Sequence, residues 1–132
     1  MRIAITSSGP TLDSQVDPRF GRAGYVLIVD TDSLDVEPIE NPNVAAGGGA
    51  GVQTSQMVIS RSVDAVLTGN CGPNAFRTLN AADVQVYAGV SGTVRAAVEA
   101  FKRGELPPLS GSSVPGHFGT GQASDGDARG AV

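Results

Sequence analysis

The chain has 132 residues, of which 40% are hydrophobic, and it carries a formal net charge of −4. This length fits one domain, and an acidic chain without a run of Lys or Arg is a poor candidate for nucleic-acid binding. No apolar stretch approaches the roughly 20 residues that cross a bilayer, and the sequence lacks the apolar region and cleavage site of a signal peptide. We therefore expect a cytoplasmic protein that binds neither nucleic acid nor membranes.

The N-terminal third predicts three strands separated by turns. The apolar run at residues 3–5 predicts a buried first strand, and the continuous apolar run at residues 25–29 predicts a central strand. The alternating residues 34–37 predict a third strand, and Pro38 suits a sheet edge because proline cannot donate to the ladder. The second and third strands should form an antiparallel hairpin. The polar residues 11–24 predict a long loop, and long loops in compact domains often carry functional residues.

The rest of the folded region predicts helices that alternate with short strands. Helices are expected at residues 50–62, at residues 73–81 and from Val94 onward, with strands at residues 63–67 and 84–87. The order β-β-β-α-β-α-β-α predicts a three-layer α/β domain with parallel βαβ units beside the hairpin. We expect this domain at residues 1–106, followed by a flexible Gly- and Ser-rich C-terminal tail at residues 107–132.

Three glycine-bearing loops each precede a predicted helix. They are residues 47–51, 69–74 and 89–93. Ligands of open sheets bind at the carboxyl ends of strands, and a helix N-terminus offers free N–H donors and a partial positive charge. We expect a cleft for an anion, held by N–H groups near Gly48, Gly49, Gly72 and Asn74. Glycine before a helix is also common in simple turns, so no single loop is diagnostic.

Residues 17–23 form a second candidate, because two arginines flank an aromatic residue and a glycine. Arg19 and Arg22 would assist in holding the anion, since a guanidinium group donates several fixed N–H bonds. The alternative is that the arginines pair with nearby aspartates and that Phe20 covers the core. Those aspartates are Asp13, Asp17 and Asp30.

The lone cysteine, Cys71, is the third candidate. If Pro73 begins a helix, Cys71 lies just before it, where a thiolate is favoured and would suit Cu(I) or iron–sulfur chemistry. The alternative is a small buried residue in a tight loop. The single histidine, His117, is a weaker candidate metal ligand because it falls in the predicted tail. With so few classical ligands, a closed structural zinc site cannot be built from this chain alone.

Three blocks of sequence resemble, in order, the motifs of the nitrogenase iron–molybdenum cofactor biosynthesis family. The blocks are residues 16–30, 47–51 and 68–76, and the resemblance covers about residues 1–104. It implies a ribonuclease H-like fold with a mixed five-stranded sheet and helices on both faces. Ribonuclease activity does not follow from that fold, because the acidic metal-binding set is not recognisable.

The resemblance implies a function in binding or carrying metal–sulfur clusters, not catalysis. Family members include carriers of cofactor precursors, and the orange-protein branch of sulfate-reducing bacteria binds a molybdenum–copper sulfide cluster non-covalently. We therefore expect such a cluster, or a related molybdenum or iron–sulfur precursor. The family does not require cysteine at position 71, and a non-covalent site needs no such ligand. The expected cluster-binding residues are Arg19, Phe20, Gly21, Arg22, Gly48, Gly49, Asn70, Cys71, Gly72 and Asn74.

Two other functions are alternatives to the cluster-binding hypothesis. The first is a protein-interaction module, in which the cleft binds an ATPase or a cofactor-assembly protein, in assembly or cell division, and any metal is incidental. The second is an enzyme acting on a phosphorylated or nucleotide ligand. It ranks last because the sequence shows no general base with suitable neighbours.

Overall fold

The computed structural model describes residues 1–43 and 49–109. Within these ranges the strands and helices follow one another in the order that the sequence predicts. They are β1 (Arg2–Ser7), β2 (Tyr25–Asp30), β3 (Val36–Glu40), α1 (Ala50–Ile59), β4 (Ala65–Leu67), α2 (Pro73–Ala81), β5 (Gln85–Tyr87) and α3 (Val94–Lys102). None of the helices described is long and apolar enough to cross a bilayer.

The strands form one mixed five-stranded sheet in the order β3-β2-β1-β4-β5. β2 is antiparallel to both β1 and β3, whereas β4 is parallel to β1 and β5 is parallel to β4. α1 and α2 pack on one face of this sheet and α3 packs on the other. The three-layer α/β fold with an antiparallel hairpin and helices on both faces is thereby confirmed, and it is consistent with a ribonuclease H-like arrangement.

The continuous apolar run of β2 is explained by burial on both faces of the sheet. Val26 and Ile28 contact the core under α1 and α2, while Leu27 and Val29 contact the core under α3. A strand covered on both sides has no solvent face, so apolar residues fill every position. Pro38 lies on the edge strand β3 and pairs with Leu27 of β2. Its missing N–H is tolerated there, because an edge strand has a neighbouring strand on one side only.

β4 begins at Ala65, two residues later than predicted. The start of β3 and the end of α1 also differ from the prediction, each for a local reason. β3 begins at Val36, two residues later than expected, because Leu34 adopts a left-handed conformation with φ of 64°. α1 ends at Ile59 and not near residue 62, where Ser62 has φ of 58°. Non-glycine residues adopt this left-handed conformation mainly in turns. The alternation or helical periodicity of a sequence does not reveal such turns.

The described fold extends beyond the expected domain end at residue 106. The Leu109 N–H donates to the Val86 carbonyl of β5 at 2.7 Å. The Leu109 side chain packs against the core under α1 and α2, and Leu106 packs against the core under α3. The segment after α3 therefore docks beside β5. The rest of the predicted tail, including His117, lies outside the described residues.

Candidate anion-binding cleft

A cleft of about 270 Å³ lies where the loop after β1 meets the first turns of α1 and α2. Its described lining consists mainly of glycines, small residues and two asparagines. The lining residues are Phe20, Gly21, Gly49, Gly51, Val52, Asn70, Gly72, Pro73, Asn74 and Ala75. This volume lies just below the range of about 300–1,000 Å³ that is typical of pockets for drug-sized ligands. The cleft therefore suits a small polyatomic ion better than a dinucleotide.

One wall of the cleft is the loop after β1, which pairs with the loop after β4. The Phe20 N–H donates to the Asn70 carbonyl at 3.2 Å, and the Asn70 N–H donates to the Pro18 carbonyl at 2.7 Å. Gly69 permits this approach, since a Cβ atom there would lie 2.6 Å from the Pro18 Cα. These bonds hold Phe20 and Asn70 beyond the carboxyl ends of the parallel strands, where the sequence predicts the site.

The other walls are the beginnings of α1 and α2. Both helices have glycine N-caps, Gly49 and Gly72, which offer no side-chain oxygen to the first turn. Neither of these two described first turns contains Asp or Glu. Because first-turn N–H groups have no intrahelical partner and carry the positive end of the helix dipole, both helices present donors to an anion in the cleft.

The three walls approach one another closely at two glycines. A Cβ atom on Gly21 would lie 2.8 Å from the Gly51 nitrogen in the first turn of α1. A Cβ atom on Gly51 would lie 3.3 Å from the Ala75 Cβ in the first turn of α2. The glycines therefore allow the two helices and the loop to approach closely.

The third glycine loop contributes nothing to the described lining of this cleft. The Val94 and Arg95 N–H groups at the start of α3 donate to the carbonyls of Ser14 at 2.9 Å and Leu12 at 2.7 Å. The donors of α3 are thus satisfied inside the chain, and α3 lies on the opposite face of the sheet. The expected meeting of three loops is observed for two of them.

Arg19 is paired with Asp17, which is the alternative given above. The Arg19 Nε and Nη2 atoms both donate to the Asp17 carboxylate at 3.2 Å, and the Arg19 backbone N–H donates to it at 3.0 Å. Burial works to raise the pKa of Asp17, but the bonds from Arg19 and the Gly24 backbone hold that pKa below its usual value. Arg19 therefore stabilises the loop through its bonds to Asp17. Neither Arg19 nor the half-buried Arg22 belongs to the described lining of the cleft.

Cys71 lies in the core under α1 and α2 and is fully buried. Burial raises the pKa of its thiol to about 11. The expectation that a position before a helix favours the thiolate is therefore wrong here, because desolvation opposes the negative charge. Among the described residues, no group of three or more His, Cys, Asp or Glu side chains could hold a metal ion. Gly48 and His117 lie outside those residues.

Buried polar residues that the sequence did not single out support the loop wall. Asn41 Nδ2 donates to the carbonyls of Gly21 at 3.1 Å and Ala23 at 2.9 Å. The Thr54 hydroxyl of α1 donates to the same Gly21 carbonyl at 3.2 Å. For Thr54 the sequence signal is a polar residue on the buried face of a helix, and this signal does not identify the partner.

Of the expected binding residues, the cleft brings together six. These are Phe20, Gly21, Gly49, Asn70, Gly72 and Asn74. Phe20 is also 3% exposed and belongs to the core, so it both lines the cleft and covers the core. Four further lining residues were not among the expected binding residues, although two of them, Gly51 and Pro73, lie in the predicted glycine loops. The four are Gly51, Val52, Pro73 and Ala75.

Comparison with known proteins supports the family that the sequence motifs resemble. A family model described as dinitrogenase iron-molybdenum cofactor matches residues 1–104. The apo form of the orange protein from Desulfovibrio gigas is 39% identical, with a TM-score of 0.83 over 86% of this chain and 96% of that chain. A candidate NifB protein from Thermotoga is 43% identical, with a TM-score of 0.75 over 87% of this chain and 98% of that chain. An uncharacterized protein of Methanocaldococcus jannaschii is 25% identical over 109 residues, covering 80% of this chain and 89% of that protein.

Proposed function

Because the chain belongs to the dinitrogenase iron-molybdenum cofactor family, we propose that it binds an anionic metal–sulfur cluster non-covalently and acts as a carrier. The observation that carries this proposal is the meeting of two helix N-termini, both without side-chain caps or acidic first turns, in one glycine-lined cleft. Such a cleft supplies donors and positive potential but no thiolate. It suits an anion that brings its own sulfur ligands.

The polar side chains of the cleft fit the same ligand. The exposed amides of Asn70 and Asn74 add hydrogen-bonding groups beside the backbone N–H donors. The Asn74 Oδ1 atom accepts a hydrogen bond from Arg77, so the amide NH₂ of Asn74 is the group left for an anion. Phe20 and Val52 supply apolar surface, which a polarizable sulfide tolerates better than a strongly hydrated oxyanion does.

A molybdenum–copper sulfide cluster is the finer assignment. It is supported by the 39% identity with the orange protein from Desulfovibrio gigas and by the cluster that the sequence resemblance implies. Cys71 is not needed as a ligand in this proposal, because burial keeps its thiol protonated near neutral pH. The chain's own role is to bind and shield the cluster, with no catalytic step.

An anaerobic titration of the apo-protein tests this function. Tetrathiomolybdate is added with and without Cu(I), while visible spectra and amide chemical shifts are recorded. We expect new charge-transfer bands, with amide shifts at residues 20–21, 49–52 and 70–75 and none at residues 89–94. Absence of both bands and local shifts would contradict cluster binding. Capture of an ATPase or an assembly protein regardless of metal would instead favour the interaction module.

A further inference from the structure

Two adjacent hydroxyl residues of α1, Thr54 and Ser55, have 0% of their surface exposed. Buried hydroxyl groups require hydrogen-bond partners. The carbonyl groups that both hydroxyls contact lie in the backbone of the cleft walls, although neither Thr54 nor Ser55 belongs to the described lining. The pair therefore joins the cleft to the helix beneath it.

Thr54 fixes the loop wall. Its hydroxyl donates to the Gly21 carbonyl at 3.2 Å and accepts a hydrogen bond from Asn43 Nδ2 at 3.4 Å. Because Asn43 is the donor in its bond, the hydroxyl proton is directed to Gly21. Gly21 in turn abuts the first turn of α1, where its missing Cβ leaves room for the Gly51 nitrogen.

Ser55 connects the beginnings of the two helices. Its hydroxyl donates to the Gly51 carbonyl in the first turn of α1 at 2.8 Å. The same oxygen lies 3.4 Å from the Ala75 carbonyl in the first turn of α2. The hydroxyl group thus lies between the first turns of α1 and α2, where a Cβ atom on Gly51 would contact the Ala75 side chain.

We propose that Thr54 and Ser55 are positioning residues, which set the alignment of the cleft's N–H donors without touching the ligand. This proposal rests on the cluster-binding function. Hydrogen bonds weaken steeply with misalignment, so small movements of three walls reduce the affinity for an anion that all three contact. Mutation of residues that orient the direct ligands of a bound metal typically lowers the affinity for that metal by about 10- to 100-fold.

The test compares three variants in tetrathiomolybdate titrations of the full chain. Thr54→Val keeps the shape of the side chain and removes the hydroxyl, so we expect about tenfold weaker binding. Thr54→Ser keeps the hydroxyl, so it should restore affinity to near that of the wild type. Ser55→Ala should also weaken binding, and it serves as the test variant if Thr54→Val does not fold.

A matched control separates positioning from general destabilisation. Val58 is fully buried on the same helix, in the core and away from the cleft. Val58→Ala should lower the Tm and leave the affinity for tetrathiomolybdate unchanged. Equal loss of affinity in Val58→Ala and Thr54→Val would overturn the positioning role. Wild-type affinity in both Thr54→Val and Ser55→Ala would overturn it as well.

The ligand-free spectra distinguish failure of this proposal from failure of the proposed function. If the wild type binds no tetrathiomolybdate, cluster binding fails, and the amide shifts of Gly21 and Gly51 then decide the positioning role. Shifts displaced in Thr54→Val and restored in Thr54→Ser support it. Shifts at the wild-type positions in Thr54→Val overturn it.

Discussion

Two glycines beside the cleft, Gly69 and Gly21, are required for close contact between backbones and not for an unusual conformation. Gly69 has no positive φ, yet its Cα faces Pro18 at a distance that leaves no room for a Cβ. Gly21 likewise faces the backbone of α1. These contacts place the loop after β1 on the cleft, so each of the two glycines acts on the site through packing.

Replacing Gly69 with alanine should destabilise the fold. The new Cβ would lie 2.6 Å from the Pro18 Cα, and backbone atoms cannot move aside cheaply. Overpacking of this kind typically costs about 1–3 kcal/mol, measured as the free energy of unfolding in denaturant. Gly24→Ala is the control, because its nearest atoms lie 4.0 Å away. Equal losses in the two variants would contradict the steric explanation.

The Asp17 carboxylate should make stability depend on pH. Burial works to raise its pKa, but the bonds from Arg19 hold the folded pKa below its usual value. Its stabilising contribution is therefore present above the unfolded pKa of about 3.9. That contribution is lost as the pH falls through the lowered folded pKa. Asp17→Asn should therefore cost about 1.5–3 kcal/mol near pH 7, the range for hydrogen bonds to a charged group, and progressively less in strong acid.

Unfolding of the wild type and of Asp17→Asn at several pH values checks this expectation. Asp13→Asn is the matched control, since Asp13 also pairs with an arginine, Arg95, but its side chain is 76% exposed. Exposed ion pairs contribute little to stability, so Asp13→Asn should change it only slightly at any pH. A difference between the wild type and Asp17→Asn that stays constant from pH 7 to pH 2 would refute the assignment.

At the scale of elements, the three helices differ in how their first turns are satisfied. α3 has a Thr93 N-cap that accepts a hydrogen bond from the Ala96 N–H at 3.1 Å. α1 and α2 begin with glycine and open into the cleft. Helix capping by a side chain stabilises a helix by about 1 kcal/mol. The missing side-chain caps of α1 and α2 thus leave donors available to a ligand.

An added acidic residue should separate helix stability from anion binding. Val52 and Ala96 both occupy the third position of a helix, in α1 and α3. A glutamate at either position adds one negative charge near a helix N-terminus, which is favourable by about 0.3–1 kcal/mol. Only Val52 lines the cleft. We expect Val52→Glu to abolish tetrathiomolybdate binding, because its carboxylate competes for the donors and repels the anion.

Ala96→Glu is the charge-matched control for this experiment. Its carboxylate can complete a capping box with Thr93, so the variant should be at least as stable as the wild type. Its affinity for tetrathiomolybdate should equal that of the wild type. Circular dichroism should show that both variants keep their helices. Equal affinity in Val52→Glu and Ala96→Glu would place the anion outside the cleft.

At the scale of the whole molecule, the location of the cleft follows from strand order. β1 lies at the centre of the sheet, with β4 and β5 parallel to it on one side. The successive crossovers through α1 and α2 proceed in the same direction and therefore share one face. Their N-termini consequently meet above the carboxyl ends of β1 and β4, whereas α3 returns on the other face.

The segment after α3 should contribute to the stability of the whole domain. Leu109 donates its N–H to Val86 and packs against the core under α1 and α2. A chain ended after Leu109 should be more stable than one ended after Leu106 by about 1–2 kcal/mol, from partial burial of a leucine and one hydrogen bond. Thermal unfolding of the two truncated chains measures the difference. Equal stability would show that this docking contributes nothing.

The sequence by itself determined the elements, their order and the family. Apolar runs, helical periodicity and the Pro73 helix start are local signals, so α2 was predicted with its observed bounds. The glycines before α1 and α2 also marked the loops that line the cleft, because a helix start depends on nearby residues alone.

Only the tertiary structure decided which of these features act together. It paired Arg19 with Asp17, buried Cys71 and satisfied the donors of α3 inside the chain. It also brought Thr54 to Gly21, a residue 33 positions away. These outcomes depend on the face of the sheet that each crossover takes and on the loss of solvent around each side chain. Both arise from contacts between residues distant in sequence, which local patterns do not encode.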